Sequence, residues 1–173
     1  RTAGGTLALM GVVIASAGVL LAWPNPASIV PSALIAFFVF TAIAVWLDLR
    51  VGHLLAAICL ALAYVVTFQV AADHVPWTNL RVYSLLNASL SSSSGQAIVG
   101  MFFIFLLASD WLARRGRSVE SVYYEVAAGI VALVSFALVT VFGAWNPAEV
   151  HHAWFVYLAY SGGAFWLARK HGL

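Results

Sequence analysis

The residues able to do chemistry in this chain gather at the ends of its apolar runs. Asp73 and His74 close one run, and Glu149, His151 and His152 open another, with Trp77, Trp145 and Trp154 nearby in sequence. Imidazoles and carboxylates are ligands for divalent transition metals. Together with indole rings they also offer stacking, hydrogen bonding and a charge that changes between about pH 5 and 8. Adjacent His151 and His152 project about 100° apart on a helix and cannot easily share one ion. The expectation is therefore no metal site, but an outer face on which an external ligand or partner acts, bounded by Asp73, His74, Trp77, Glu149, His151 and His152.

A second group carries both signs of charge. Asp48 and Arg50 follow one run, while Asp110, Arg114, Arg115, Arg117, Glu120 and Glu125 surround the junction of two others. Charges of both signs at a membrane rim read as ion pairs that fix helix depth, with the long arginine stems snorkelling. Asp48, Arg50, Asp110, Arg114, Arg115 and Glu125 form this inner rim. Glu125 lies about one turn inside its run, after Tyr123 and Tyr124. Its expected partner is the neighbourhood of Asp110 or an arginine of the preceding loop, and it is the one carboxylate placed to serve a proton-coupled step.

Enzyme signatures are missing. The chain has no Gly-rich phosphate loop, no HExxH, no CxxC and no carboxylate with a partner base deep in a run. The single Cys59 excludes an internal disulfide. The triplet from Ser161 to Gly163 has no histidine at its depth to activate a serine, and no histidine is placed to ligate haem between runs. No catalytic activity and no cofactor are expected. Thr41, Thr67, Gln69, Ser109, Ser135 and Thr140 are the modest polar residues from which a solute path would have to be built.

These groups hang on elements fixed by composition. Of 173 residues 64% are apolar and 8% charged, with a mean hydropathy of +0.99; soluble domains carry about 25% charge. The solvent is lipid. A net charge of +2, thinly spread, excludes a phosphate-binding surface and so nucleic acid. Six apolar runs, near residues 5–23, 29–47, 54–72, 96–113, 122–145 and 150–167, approach the roughly 20 helical residues that cross a bilayer. Stretches such as LIAFFVF lack the alternation of a β-barrel. The fold class expected is all-α: one polytopic membrane domain over residues 1–173 with six spans. Seven of the eight basic residues fall at the N-terminus, in alternate loops and at the C-terminal end, Arg81 being the exception, so both termini should be cytoplasmic. The chain starts without methionine and stops just past the sixth run, which reads as a fragment or a trimmed protein.

A weak repeat points to three helical hairpins. Trp46–Gly52, Trp111–Gly116 and Trp166–Gly172 each place a Trp-Leu pair before a cation, and AWPNPA at Ala22 is echoed by AWNPA at Ala144. The long outer loop 73–95 spaces Trp77, Leu80, Tyr83, Leu86 and Leu90 near a helical period, as an amphipathic helix at the interface would. Its SSSSG end reads as a flexible joint. Gly11, Ala15 and Gly18, and again Gly162 and Gly163, would let helices approach closely. At the level of architecture the chain has a generic likeness to membrane input regions of bacterial signalling proteins and to small membrane subunits of larger complexes. The function expected is a non-catalytic signal-input or accessory module in a bacterial inner membrane, with lipid, other membrane subunits or a cytoplasmic output domain as partners. The alternative is a small-solute transporter or its membrane subunit.

Overall fold

The computed structural model describes residues 2–47, 49, 51–78, 80–144 and 150–172, the side chains of 2–5, 7–9 and 150–152 excepted. Seven α-helices follow one another, with no strand among the described residues: α1 (Thr2–Leu21), α2 (Pro26–Trp46), α3 (Val51–Ala71), α4 (Val82–Ser89), α5 (Ser92–Arg114), α6 (Ser118–Leu138) and α7 (Val150–Lys170). A π-helical turn, Val139–Gly143, continues α6. Among the described residues four segments are long and apolar enough to cross a membrane: α2 and α3 with 21 residues each, α5 with 23, and α6 with its π turn, 26 residues. In α1 the qualifying apolar stretch is the shorter Met10–Leu21.

Helix ends follow local chemistry. Asn25 caps α2 by accepting from the Ala27 amide at 3.2 Å, and Pro26 occupies the first helical position, where its missing N–H costs nothing. Asp73 ends the turn after α3 at φ 57°, in the left-handed region that Asp tolerates better than most residues. The amides of His74 and Val75 then return to the Gln69 carbonyl at 3.0 and 3.3 Å.

The pairing of helices differs from the three hairpins expected. Among the described residues the most extensive packing joins α2 to α3 and α5 to α6, across short connections, while α6 and α7 touch little. Close approach explains it. A Cβ on Gly52 would meet the Ala44 Cβ and the Phe40 carbonyl at 2.9 Å, and one on Gly95 would meet Val139 Cγ2 at 2.6 Å. The small residues singled out in α1 do not act this way, because Gly18 has nothing within 4 Å and Gly11 only Ile43 Cδ1 at 3.7 Å. The two neighbours in α7 divide: Gly163 packs on the Phe102 ring and Gly162 faces open space.

α3 closes the bundle by packing on both α5 and α6, and α7 lies on α5 and the π turn. At the centre Ala57, Met101, Phe102, Phe105, Leu106, Ala127 and Ala128 form one buried cluster. α5 is the most enclosed span, half of it buried against a third or less for the other three.

The 73–95 connection carries a short helix, α4, which buries Leu85. The apolar stripe of Trp77, Leu80, Tyr83, Leu86 and Leu90 extends beyond this helix at both ends and lies on the exterior. The SSSSG stretch is no joint: Ser91 caps α5 and Ser92 begins it, with Ser92 and Ser94 buried. A serine hydroxyl that accepts a first-turn amide stops fraying and makes a joint into a helix start.

Candidate functional site

Two polar clusters sit at opposite ends of α5, roughly 22 Å apart along its axis if measured from Ser94 to Ser109. At the N-terminal end Gln69 of α3 is fully buried. Its amide Nε2 donates to the Ser94 hydroxyl at 2.6 Å and lies 3.4 and 3.5 Å from those of Ser93 and Ser91. Ser91 and Ser94 in turn donate to the Ala88 carbonyl at the end of α4, and Ser91 accepts from the Ser94 amide at 3.3 Å. The Gln69 amide oxygen faces His74 Nδ1 at 2.7 Å. An amide oxygen only accepts, so the imidazole proton sits on Nδ1 and Nε2 is the ring's lone-pair face in the neutral form. Every polar atom of the Gln69 amide is thereby engaged, which is what its burial requires.

The C-terminal end of α5 carries the charged cluster. Ser109, buried, donates to Glu125 Oε1 at 2.9 Å. With its one proton so used, its oxygen accepts from Ser121 at 2.9 Å and from Lys170 Nζ at 3.0 Å. Lys170 also pairs with Glu125 Oε1 at 2.6 Å, and His171 Nε2 lies 3.1 Å from Oε2. Side chains from α5, α6 and the end of α7 thus converge on one carboxylate, itself only 16% exposed.

The inner-rim residues named from sequence separate accordingly. Asp110 pairs with Arg114 one turn later, at 2.8 Å, whereas Arg115 stacks its guanidinium over the Trp111 ring at 4.1 Å. Glu125 does meet the Asp110 neighbourhood, through Ser109 at 2.9 Å, but its charged partners are Lys170 and His171 rather than an arginine of the loop. The loop arginines point along their own connection, where Arg117 approaches Glu120 at 4.0 Å, while α7 delivers Lys170 and His171 across the bundle. Asp48 and Arg50 lie outside the described residues.

Of the outer-face candidates, Asp73 acts through its backbone, in the turn that presents His74. Trp77 is half exposed, and its carbonyl accepts from the Ala27 amide at 3.1 Å, tying the loop to the start of α2. Glu149 lies outside the described residues, as do the side chains of His151 and His152, whose backbone opens α7. Among the described residues no group of three His, Cys, Asp or Glu side chains is placed to hold a metal ion.

Sequence reasoning passed over Ser91, Ser94, Ser121, Lys170 and His171. A signal for the first existed, since a serine three residues before a helical N–H is a capping pattern. None existed for the other cluster, in which Ser109 and Lys170 bond across 61 positions. His53 was also missed, one residue outside the apolar run as drawn. It is buried, 5.7 Å from the Tyr124 ring, with Nδ1 unpartnered among the described residues. The polar residues considered for a solute path are dispersed. Thr41 bonds the Phe37 carbonyl, Ser135 the Gly95 carbonyl, and Thr140 the Tyr157 hydroxyl.

Compared with known proteins, the chain matches no family model, no curated protein and no solved structure.

Proposed function

We propose that the chain is a non-catalytic membrane module that receives a signal at the His74 end of the bundle and alters the position of the α7 end relative to α5 and α6. In this reading α1 and α7 span the membrane together with α2, α3, α5 and α6. That makes six spans with both ends cytoplasmic, a reading supported by the distribution of arginines and lysine. The module belongs in a bacterial inner membrane and works on another membrane subunit or a cytoplasmic output domain.

The observation that carries the proposal is the two-ended wiring of α5. Its N-terminal serines are bonded to Gln69 of α3 and its Ser109 to Glu125 and Lys170. Between them the buried side chains of α5 are all apolar, from Ala97, Ile98 and Val99 through Met101 and Phe102 to Phe105 and Leu106, with Gly95 beside Ser94. A close-packed apolar stretch transmits displacement and offers a solute no hydrogen bonds. That favours a relay over a conduit. The transporter reading rests on Glu125, a mostly buried carboxylate at a point where three helices meet.

Spin labels at Val119→Cys and Arg169→Cys, both exposed positions at the inner ends of α6 and α7, test the relay in a Cys59→Ala background. Gln69→Leu at the far end should change the interspin distance distribution. An unchanged distribution overturns the relay. A proton-coupled flux in vesicles that Glu125→Gln abolishes would establish the transporter reading in its place.

A further inference from the structure

We propose that the cleft between the α4–α5 link and the π turn is a binding site for a small uncharged amphiphile arriving from the aqueous side: an alcohol, amide or ester group on a compact apolar frame. The proposal rests on the input-module reading and names where that input is received.

The cleft has a volume of about 380 Å³ and is lined by Asn87, Leu90, Ser91, Ser92 and Phe142, a size within the range that takes small molecules. Its lining has three parts. Asn87 supplies an amide that both donates and accepts, on an exposed position. Leu90 and Phe142, each about half exposed, supply apolar walls. Ser91 and Ser92 supply hydroxyls. Among the described residues no charged side chain lines it; against this lining an anion or cation would give up its hydration without a counter-charge, which favours an uncharged ligand.

Two features connect the cleft to the rest of the molecule. Phe142 is held by the π-helical turn Val139–Gly143. Such a turn interrupts the regular i−4 pattern at some cost and recurs at functional positions; here it packs against α5 and α7. Ser91 belongs both to the cleft and to the cluster on Gln69. Its hydroxyl lies 2.8 Å from Ser93 and 3.5 Å from Gln69 Nε2. A ligand hydrogen-bonded to Ser91 therefore competes with the contacts that hold the start of α5 to α3. Lipid headgroup esters share this chemistry, and the test separates them from a free ligand.

Benzamide is the probe, with benzoate as the same frame bearing a charge. The full chain in dioleoylphosphatidylcholine nanodiscs is titrated with each by saturation-transfer NMR, alongside Asn87→Leu and Phe142→Ala, which alter exposed side chains. The site requires saturable benzamide binding, weakened at least fivefold by either substitution, and benzoate binding at least tenfold weaker. Equal transfer to wild type and both variants, as partition into lipid or occupation of the cleft by lipid esters would give, overturns the proposal. So does equal binding of benzamide and benzoate. The spin-label response to Gln69→Leu does not involve the cleft lining, so failure of the site and failure of the relay are read separately.

Discussion

Removing either partner of the Glu125–Lys170 pair should weaken the bundle measurably, and removing both should cost less than the sum. Nζ and Oε1 are 2.6 Å apart, with the side chains 22% and 16% exposed. Fully exposed pairs contribute about 0–1 kcal/mol, and loss of one partner of a fully buried pair costs about 3–5 kcal/mol. A pair a fifth exposed falls between, at about 2 kcal/mol for Glu125→Gln and about 1.5 kcal/mol for Lys170→Met. The smaller figure belongs to Lys170→Met because Glu125 keeps Ser109 and His171 as donors. The double variant should lose about 2.5 kcal/mol, a coupling near 1 kcal/mol. The assay is equilibrium unfolding in mixed dodecyl maltoside and SDS micelles, followed by tryptophan fluorescence. Asp110→Asn is the internal control: Arg114 is 78% exposed, so that loss should stay below about 0.5 kcal/mol. Additivity of the two changes within about 0.3 kcal/mol would refute the pairing, and with it the tie between α7 and α6.

Three further outcomes follow from single positions. Impermeant thiol reagents applied to intact cells should label Tyr83→Cys and not Arg115→Cys, both exposed positions, in the Cys59→Ala background; labelling of Arg115→Cys would overturn the orientation. Asp73→Gly should leave the melting midpoint near wild type, whereas Asp73→Val should cost about 1–2 kcal/mol, because φ 57° penalises a β-branched side chain. Adjacent glycines of α7 should respond oppositely. Gly162→Ala should be neutral or stabilising by up to about 1 kcal/mol, and Gly163→Ala, which meets the buried Phe102 ring, should destabilise by about 1–3 kcal/mol in the same unfolding assay.

How much was legible beforehand depended on whether the signal was local. Apolar composition and run length determined that the chain is helical with segments able to cross a bilayer, because in hydrocarbon each helix must satisfy its own backbone. Asn25-Pro26 carries a start signal for α2 that the run drawn from residue 29 did not use; it is local as well, because capping involves neighbours in sequence. The Asp110–Arg114 pair was equally local, one helical turn apart. Tertiary structure alone decided the rest. Hydrophobicity does not drive one apolar helix against another in lipid, so which helices approach is set by where small residues meet large ones. That information lies between elements: Gly52 against Ala44, Gly95 against Val139, Gly163 against Phe102. The same holds for the polar groups. Glu125 carries no mark in its own helix of the Lys170 that reaches it, and Gln69 none of the serines it binds. A buried charge or amide takes its partner from whichever helix the packing brings within 3 Å, and only the assembled bundle specifies that helix.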